Sequence, residues 1–290
     1  MEVRGRAAFV TGAGSGIGRA LCLALARAGC HVLCSDLNSE SAATTAASCR
    51  LSGVQVAFRA VDAGDKAALH AAIDWGEEWA RGCGCAGVSI FVANAGILTL
   101  GGLDAADEVW RRAFAVNTMQ CVHAADRIVP LMAGRGGGSF VVVASAAGLL
   151  TQHGALPYAV SKAAAVAVAR WIAISHGAAD SGNVRVSCVC PQAVATGMTR
   201  GADPRRDLHA ASTMSGADGV LDADAVAAAI LDGIASGRFL VLPHPSVAKY
   251  ITFAAAKPER WIARMQQLKA AFESARPQAA HGTGPSRARL

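Results

Sequence analysis

The sequence has little charge, few aromatic residues and no long uninterrupted apolar run. Charged residues make up 17% and aromatic residues 5% of the chain, while 53% is hydrophobic. The longest apolar run, 140–150, is short and rich in small residues, so we expect no membrane span. The first strand begins close to the N-terminus and leaves no room for a targeting segment there, which favours a cytoplasmic location. Such a composition is typical of a compact α/β protein.

The chain also lacks a disulfide framework and a recognisable metal motif. It has nine cysteines, an odd number, spread over predicted strands and helices. Cys83 and Cys85, like Cys188 and Cys190, are separated by one residue, whereas zinc-binding pairs usually have two between them. We expect Cys188 and Cys190 to lie on opposite faces of a strand. Buried free thiols, no metal and a reducing compartment are therefore predicted.

A clustered basic surface is missing as well, although the formal net charge is +6. The densest stretch, 200–206, contains Asp203 and is interrupted by Pro204. Since nucleic-acid-binding domains concentrate their basic residues on one face, these scattered charges predict a solvated surface and no nucleic-acid partner.

Apolar runs rich in β-branched residues alternate with longer helical patterns. The predicted strands are 7–10, 31–35, 54–60, 88–93, 140–144, 184–189 and 239–242, and the predicted helices are 17–28, 39–51, 66–79, 108–132, 157–176 and 223–236. This alternation is typical of βαβ units, and runs that are apolar on both faces belong in a sheet covered on both sides. It predicts an α/β fold, a doubly wound parallel sheet of the Rossmann type.

We interpret residues 1–243 as one nucleotide-binding domain, because no linker divides them. Residues 244–276 follow as a C-terminal helical extension packed on it, with one helical stretch over 247–275. Residues 277–290 are small, polar and basic and should form a disordered tail. Between 196 and 221 the alternation of strand and helix patterns is interrupted by loop-forming residues, which predicts a mobile loop over the site.

A glycine-rich turn lies between the first strand and the first helix. Gly12, Gly16 and Gly18 let the backbone turn tightly and approach a pyrophosphate, and the helix N-terminus offers free N–H donors. The strand-turn-helix context makes dinucleotide binding the better interpretation of this motif. Ser15 belongs to the same turn.

An acidic residue at the end of the second strand indicates which dinucleotide binds. The Asp36 carboxylate can accept hydrogen bonds from both adenosine ribose hydroxyls and would repel a 2′-phosphate, which favours NAD over NADP. Leu37 and Ser15 offer no positive charge to such a phosphate. Asp62, after the third strand, is placed to meet the adenine amino group. After the fourth strand, 94–96 should line the middle of the cofactor through Asn94, Ala95 and Gly96.

Tyr158 and Lys162 are spaced i to i+4, so they project from one face of a helix, thirteen residues after Ser145. With the glycine-rich turn, Asp36, Asp62 and 94–96, these residues follow the order of a known pattern. Over about residues 3–243 the chain resembles the short-chain dehydrogenases/reductases. The opening 2–18 and the stretch 180–185 look most like the 15-hydroxyprostaglandin dehydrogenase group.

The resemblance implies site residues and their roles. Tyr158 would exchange the proton of a substrate hydroxyl, Lys162 would favour its phenolate form and hold the nicotinamide ribose, and Ser145 would bind the substrate oxygen. Asn117 would hold a water that relays protons from Lys162; alternatively, its amide only bonds to backbone. Further cofactor contacts carried over by position are Ile17, Pro191 and Thr196. Two departures from the family pattern are Ala93, where Asn is frequent, and Gln192, where Gly is usual.

The predicted activity is therefore hydride transfer between NAD and a secondary alcohol or ketone, with a lipophilic substrate favoured. The alternative is a catalytically weak dinucleotide-binding sensor or scaffold. The family resemblance also implies a homo-oligomer, and the C-terminal extension favours a dimer over a tetramer. The terminal Ala288, Arg289 and Leu290 have the form of a peroxisomal import signal, which leaves the peroxisomal matrix as an alternative to the cytoplasm.

Overall fold

The computed structural model describes residues 1–178, 183–199, 207, 210, 214 and 217–275, of which residue 275 without its side chain. Within these residues the strands are β1 (Ala7–Thr11), β2 (His31–Asp36), β3 (Val56–Ala60), β4 (Val88–Ala93), β5 (Gly138–Val143), β6 (Val184–Val189), β7 (Val194–Ala195), β8 (Leu221–Asp222) and β9 (Leu240–Val241). Seven of them form one sheet in the order β3-β2-β1-β4-β5-β6-β9, and every pairing in it is parallel. The predicted doubly wound parallel sheet is confirmed.

Helices connect the strands and cover both faces of the sheet. They are α1 (Gly16–Arg27), α2 (Ser39–Arg50), α3 (Lys66–Gly82), α4 (Asp107–Phe114), α5 (Gln120–Gly134), α6 (Ala147–Leu150), α7 (Leu156–His176), α8 (Ala223–Ser236), α9 (Ser246–Ala256) and α10 (Pro258–Ala275). The chain reverses its direction of strand addition between β1 and β4, which are neighbours in the sheet. In open parallel sheets ligands bind at the carboxyl ends of the strands beside such a switch point.

The core consists of two apolar layers, one on each face of the sheet. On one face Phe91 lies between Phe9 and Phe140, with ring centroids 5.1 Å and 5.6 Å away. On the other face Leu21 and Ile230 are fully buried against the sheet. Each such side chain contributes roughly 1.5–3 kcal/mol on burial. The rigid sheet therefore fixes the positions of the loops that follow its strands.

The prediction of a single helix over 108–132 is wrong. The chain forms α4, then a π-helical turn over Ala115–Met119, then α5. Side chains of the turn bond to neighbouring elements: Thr118 Oγ1 donates to the carbonyl of Ser161 at 2.7 Å, and Asn117 bonds to the backbone of Ile97. These tertiary contacts accompany the wider turn, and apolar periodicity along the chain does not reveal them.

The C-terminal stretch is two helices rather than the single one predicted, because the chain breaks at Lys257 before Pro258, where a proline begins α10. Tyr250 and Phe253 of α9 face Trp261 of α10 at ring-centroid distances of 6.3 Å and 6.5 Å. The carbonyl of Met265 in α10 lies 3.2 Å from Nε2 of His153, which belongs to the loop before α7. The helix pair is thus tied to the segment that leads into the predicted catalytic helix.

The expectation that Cys188 and Cys190 occupy opposite faces is also wrong. Their sulfur atoms are 3.8 Å apart, because residues two apart along a strand share a face. All nine cysteines are free thiols. Burial raises the pKa of Cys30 and of Cys121 to about 12, so these two groups stay protonated at neutral pH. Within the described ranges, no group of three or more His, Cys, Asp or Glu side chains could hold a metal ion.

One helix, α7, is long and apolar enough by length and composition to cross a membrane. It packs on α5, the π-helical turn and β6, and it carries Tyr158 and Lys162. These contacts are those of a core helix. Several predicted features lie outside the described residues: most of the loop 196–221, part of the stretch 180–185, and the tail 277–290 with its terminal tripeptide.

Candidate active site

The glycine-rich turn has a backbone that side chains would disrupt. Gly12 and Gly16 have φ angles of +64° and +51°, a region that favours glycine. A Cβ atom on Gly12 would lie 2.8 Å from Cα of Ala95, and one on Gly18 would lie 2.1 Å from the carbonyl oxygen of Gly12. The turn is therefore packed tightly against the loop after β4, and the N-terminus of α1 opens beside it. This cradle fits a dinucleotide pyrophosphate.

Thr11 and Asn94 join the two loops that flank the switch point. Thr11 Oγ1 accepts hydrogen bonds from the backbone N–H groups of Asn94 and Ala95, both at 3.0 Å. Asn94 Nδ2 donates to the carbonyls of Thr11 at 2.8 Å and of Gly12 at 3.2 Å. Gln120, which sequence reasoning missed, accepts from Thr11 Oγ1 and donates to the carbonyls of Ala95 and Val116. No sequence motif marked this residue.

Asp36 ends β2 at the open end of the site. Its Oδ2 accepts from the N–H of Gly14 at 2.8 Å, and its Oδ1 accepts from the N–H of Asn38 at 2.9 Å. Each carboxylate oxygen keeps a second lone pair for a ribose hydroxyl. The next side chain, Leu37, is 65% exposed and carries no charge. The local chemistry thus suits an unphosphorylated ribose.

Asp62 is held by an arginine that the sequence did not single out. Nη1 of Arg112 in α4 lies 2.9 Å from Oδ2 of Asp62, and Oδ1 accepts from the N–H of Gly64 at 2.9 Å. Burial acts to raise the pKa of Asp62, but the hydrogen bonds from Arg112 and Gly64 outweigh it, so this pKa lies below its ordinary value. Asp62 is therefore an ionised carboxylate at neutral pH, and Arg112 becomes part of the same cavity wall.

Ser145, Tyr158 and Lys162 lie together at the closed end. Ser145 follows β5, and the other two project from α7; their exposed fractions are 7%, 8% and 3%. Nζ of Lys162 donates to the carbonyl of Val143 at 2.8 Å and lies 6.0 Å from the ring centroid of Tyr158. Ser145 Oγ accepts from the N–H of Ala147 at 3.1 Å. These two hydrogen bonds hold the side chains of Lys162 and Ser145 in place.

Burial sets the ionisation of this group in the protein alone. It raises the pKa of Tyr158, against a lowering contribution from the hydrogen bond with Ser145. It lowers the pKa of Lys162. Desolvation is the largest influence on both pKa values, and the prediction that Lys162 favours the phenolate stays a prediction. Tyr158 is a neutral phenol here and needs further positive charge beside it to act as a base.

Asn117 lies in the π-helical turn rather than in a regular helix. Its Oδ1 accepts from the N–H of Ile97 at 2.9 Å, and its Nδ2 donates to the carbonyl of Ile97 and to Ser161 Oγ, both at 3.0 Å. Its amide is therefore engaged with backbone and a neighbouring serine, as in the alternative interpretation. A water relay through this residue stays a prediction.

The loop after β6 closes the site from the other side. The carbonyl of Pro191 accepts from the N–H of Ala146 at 2.8 Å, and the side chain of Thr196 faces Gly16. A cavity of about 350 Å³ runs between these loops. Its walls include all of the predicted site residues except Asn117: Gly12, Ser15, Gly16, Ile17, Gly18, Asp36, Asp62, Asn94, Ala95, Gly96, Ser145, Tyr158, Lys162, Pro191 and Thr196.

A second, smaller compartment adjoins the closed end. It shares Ser145, Tyr158, Gln192, Met198 and Thr199 with the main cavity. Its remaining walls are formed by Leu98, Ala146, Ala147, Gln152, Ala193, Ala210 and Met214. The arrangement places two hydroxyl groups, of Ser145 and Tyr158, between a dinucleotide-shaped cavity and a mainly apolar chamber. Such a site can exchange a proton with a substrate that enters from the second compartment.

Comparisons with known proteins show to which family this chain is similar. The family model described as short chain dehydrogenase matches residues 6–207. Estradiol 17-beta-dehydrogenase 11 of Rattus norvegicus is 30% identical over 262 residues, which cover 90% of this chain and 83% of the relative. An uncharacterised NAD-dependent oxidoreductase of Mycobacterium tuberculosis is 35% identical over 213 residues, or 68% of this chain and 74% of that protein.

A solved structure agrees with these sequence matches. The short chain dehydrogenase/reductase of Burkholderia phymatum, crystallised in complex with NAD, has a TM-score of 0.77 and 29% identity, and the match covers 89% of this chain and 96% of that one. Fold, site layout and sequence agree, and the chain belongs to the short-chain dehydrogenase/reductase family of oxidoreductases.

Proposed function

We propose that this protein is an NAD-dependent oxidoreductase that interconverts secondary alcohols and ketones, with Ser145, Tyr158 and Lys162 as its catalytic set. The observation that carries this proposal is the shared cavity, in which the glycine cradle and these three side chains line one continuous wall. A nucleotide on the cradle would extend toward the hydroxyls of Ser145 and Tyr158. The second compartment then offers room for the substrate on their far side.

In the proposed reaction, the bound nicotinamide supplies the acceptor for the hydride that leaves the carbinol carbon. Tyr158 removes the hydroxyl proton, so that the C–H and O–H bonds break while a carbonyl double bond forms. Ser145 Oγ donates to the substrate oxygen as negative charge develops on it. Lys162, protonated and held on the carbonyl of Val143, contributes the positive charge that favours the phenolate. Ketone reduction reverses each step.

NAD, rather than NADP, is supported by the residues around Asp36. A 2′-phosphate would approach a carboxylate, with the uncharged Leu37 beside it, at a considerable electrostatic cost. The Burkholderia structure contains NAD, and the mycobacterial relative is named for its NAD dependence. A lipophilic substrate is supported by the mainly apolar chamber and by the 17-beta-dehydrogenase named among the relatives. The likeness to the 15-hydroxyprostaglandin dehydrogenase group stays a prediction.

The test is the absorbance of reduced nicotinamide during incubation with a panel of secondary alcohols: hydroxy fatty acids, prostaglandins, sterols and small cyclic alcohols, each with NAD and with NADP. We expect turnover with NAD. Turnover with NADP alone would contradict the cofactor assignment. Tight nucleotide binding without turnover on any alcohol would favour the sensor or scaffold alternative, in which Tyr158→Phe leaves the function unchanged.

We further propose a homodimer formed through α5 and α7. Both helices present apolar side chains outward, among which Trp171 is 64% and Ile174 is 77% exposed, and a groove between the helices is lined by Val129, Pro130 and Trp171 among others. Exposed apolar faces of this kind are typical of protein interfaces. Sedimentation should give the mass of two chains, and Trp171→Asp should shift it to one; a mass of four chains would contradict the proposal.

The cytoplasmic location and its peroxisomal alternative both remain proposals. A fluorescent reporter fused to residues 277–290 tests them in a eukaryotic cell, with a second fusion that lacks the last three residues as control. A uniform cytosolic signal from both would dispose of the peroxisomal alternative. Punctate signal from the first fusion alone would support it.

A further inference from the structure

Gln192 carries a buried hydrogen-bond acceptor that is not used. Its Oε1 has no hydrogen-bond partner within the described part of the chain. The side chain lines both the main cavity and the smaller compartment, so it lies where cofactor space and substrate space meet. A buried carbonyl oxygen without a partner is destabilising unless another group, such as a water or a ligand, satisfies it.

Three hydrogen bonds hold the backbone around Gln192. The N–H of Gln192 donates to Nδ1 of His244 at 3.1 Å, and Nε2 of His244 donates to the carbonyl of Ala193 at 3.0 Å. The preceding carbonyl, of Pro191, accepts from the N–H of Ala146 at 2.8 Å. The His244 ring is fully buried and pins two consecutive residues of this wall. The backbone that carries the unsatisfied oxygen is therefore held in place.

Hydroxyl groups of the same compartment are already engaged. Thr199 Oγ1 lies 2.7 Å from the carbonyl of Val194 and 3.1 Å from that of Thr196. Tyr158 and Ser145 bond to one another and are reserved for the reacting oxygen. Around them the walls are apolar, with Leu98, Ala146 and Ala147 among them. Among the described residues none donates to Gln192 Oε1, and a donor group of a substrate in this compartment can reach it.

We propose that Gln192 is a specificity-determining residue, which accepts a hydrogen bond from a second donor group of the substrate, a hydroxyl or amine close to the reacting carbinol. This inference rests on the proposed function and narrows its substrate class to alcohols with a second donor. A site built around an unpaired polar group discriminates against analogues that leave this group unpaired. Gln192 would thus favour a diol or amino alcohol as substrate over the corresponding simple alcohol.

The experiment compares cyclohexanol, the 1,2-, 1,3- and 1,4-cyclohexanediols and 2-methoxycyclohexanol, whose added oxygen can accept but not donate. For wild type with NAD, we expect kcat/KM for the best diol to exceed that for cyclohexanol by about tenfold, the size expected of one buried hydrogen bond. The methoxy compound should give no such gain. Gln192→Leu should bring the ratio close to one, and Gln192→Glu, which keeps an acceptor, should retain the preference.

Gln152→Leu is the matched control, because it makes the same change in the same compartment at a residue that already has an interaction partner. It should leave the ratio as it is in wild type. Equal ratios for wild type and Gln192→Leu would overturn the inference. So would a Gln192→Leu variant that changes only the KM for NAD, since Gln192 would then contact the cofactor.

Calorimetric binding of the same compounds to the NAD-loaded protein separates this inference from the proposed function. A diol preference in binding that Gln192→Leu removes, without turnover of any alcohol, would refute the oxidoreductase proposal and retain the inference. Turnover without a diol preference would support the oxidoreductase proposal and overturn the inference about Gln192. Equal binding of all compounds, or binding of none, would also overturn the inference.

Discussion

The two ends of the main cavity stabilise charge in different ways. At the adenosine end Asp36 and Asp62 are partly open to solvent, and each carboxylate accepts hydrogen bonds from the chain. At the catalytic end Tyr158 and Lys162 are buried, and desolvation is the largest influence on the pKa of each. Hydrogen bonds at the open end thus favour the charged form of Asp62, while burial at the closed end disfavours the charged forms of Tyr158 and Lys162.

This difference suits the two tasks. Recognition of a ribose and an adenine requires acceptors that never change protonation, and hydrogen bonds from Arg112 and Gly64 hold Asp62 in that state. The proposed catalysis requires a group that gains and loses a proton, so the pKa of the Tyr158 phenol has to respond to the cofactor that binds next to it. In the proposed mechanism the cofactor would therefore favour the phenolate of Tyr158 as well as accept the hydride.

Tyr158→Phe should separate the two ends most strongly. It removes the proton-transfer group and leaves the adenosine end intact, so kcat should fall by about 10²–10⁴-fold while the Kd for NAD changes little. Steady-state kinetics and calorimetry check the two values. Retention of turnover near the wild-type level would refute the assigned role of Tyr158.

The pH dependence should also differ between the ends. Burial raises the pKa of Tyr158, so the phenolate fraction grows as pH rises, and kcat/KM for alcohol oxidation should increase by up to about tenfold per pH unit below that pKa. Ketone reduction uses the phenol and should lack this rise. Because the pKa of Asp62 is lowered, the Kd for NAD should stay nearly constant between about pH 6 and 8. An oxidation rate that falls as pH rises over this range would contradict the assignment.

Substitution at the open end should exchange the cofactor without affecting the chemistry. In Asp36→Ser combined with Leu37→Arg, the carboxylate is replaced by a hydroxyl and a cation is supplied for a 2′-phosphate, so the preference should move toward NADP by about tenfold or more. The single variant Leu37→Arg is the control, because it retains the repelling carboxylate. The ratio of kcat/KM for the two cofactors is the measurement, and an unchanged ratio in the double variant would count against Asp36.

The smallest effect is expected at Arg112. Arg112→Leu removes the partner of Asp62 on a partly exposed surface, where an ion pair contributes about 0–1 kcal/mol, so the KM for NAD should rise only about two- to fivefold. kcat should stay within about twofold, since the closed end is untouched. Arg111→Leu, on the same helix but outside the cavity wall, is the matched control. A large fall in kcat for Arg112→Leu would contradict the assignment of the open end to cofactor binding alone.

The sequence predicted most residues of the open end and the three residues that lie together at the closed end, since both groups belong to motifs with local spacing. Gly12 and Asp36 follow predicted strands, and parallel strands bring their carboxyl ends to one edge. Arg112 and Gln120 escaped prediction because their partners, Asp62 and Ala95, are distant in the chain. Nothing in a single sequence marks such pairs.

The direction of the pKa shifts of Tyr158 and Lys162 could not be predicted from the sequence for a related reason. Spacing places Tyr158 and Lys162 on one face of a helix, but their pKa values depend on desolvation by the surrounding fold. The break of the predicted helix 108–132 had a similar origin, because Asn117 and Thr118 bond to residues of other elements. Local patterns specify elements, whereas burial and long-range bonds decide how those elements function.

The two hydrogen bonds that join His244 to the backbone of Gln192 and Ala193 have a consequence for synthesis of the chain. Gln192 and Ala193 leave the ribosome some fifty residues ahead of the imidazole that holds them, since the two bonds span sequence separations of 52 and 51 residues. The strands that form the cradle are all made earlier. A nascent chain can thus assemble its nucleotide cradle first, and the wall that carries Gln192 becomes fixed only when His244 has emerged.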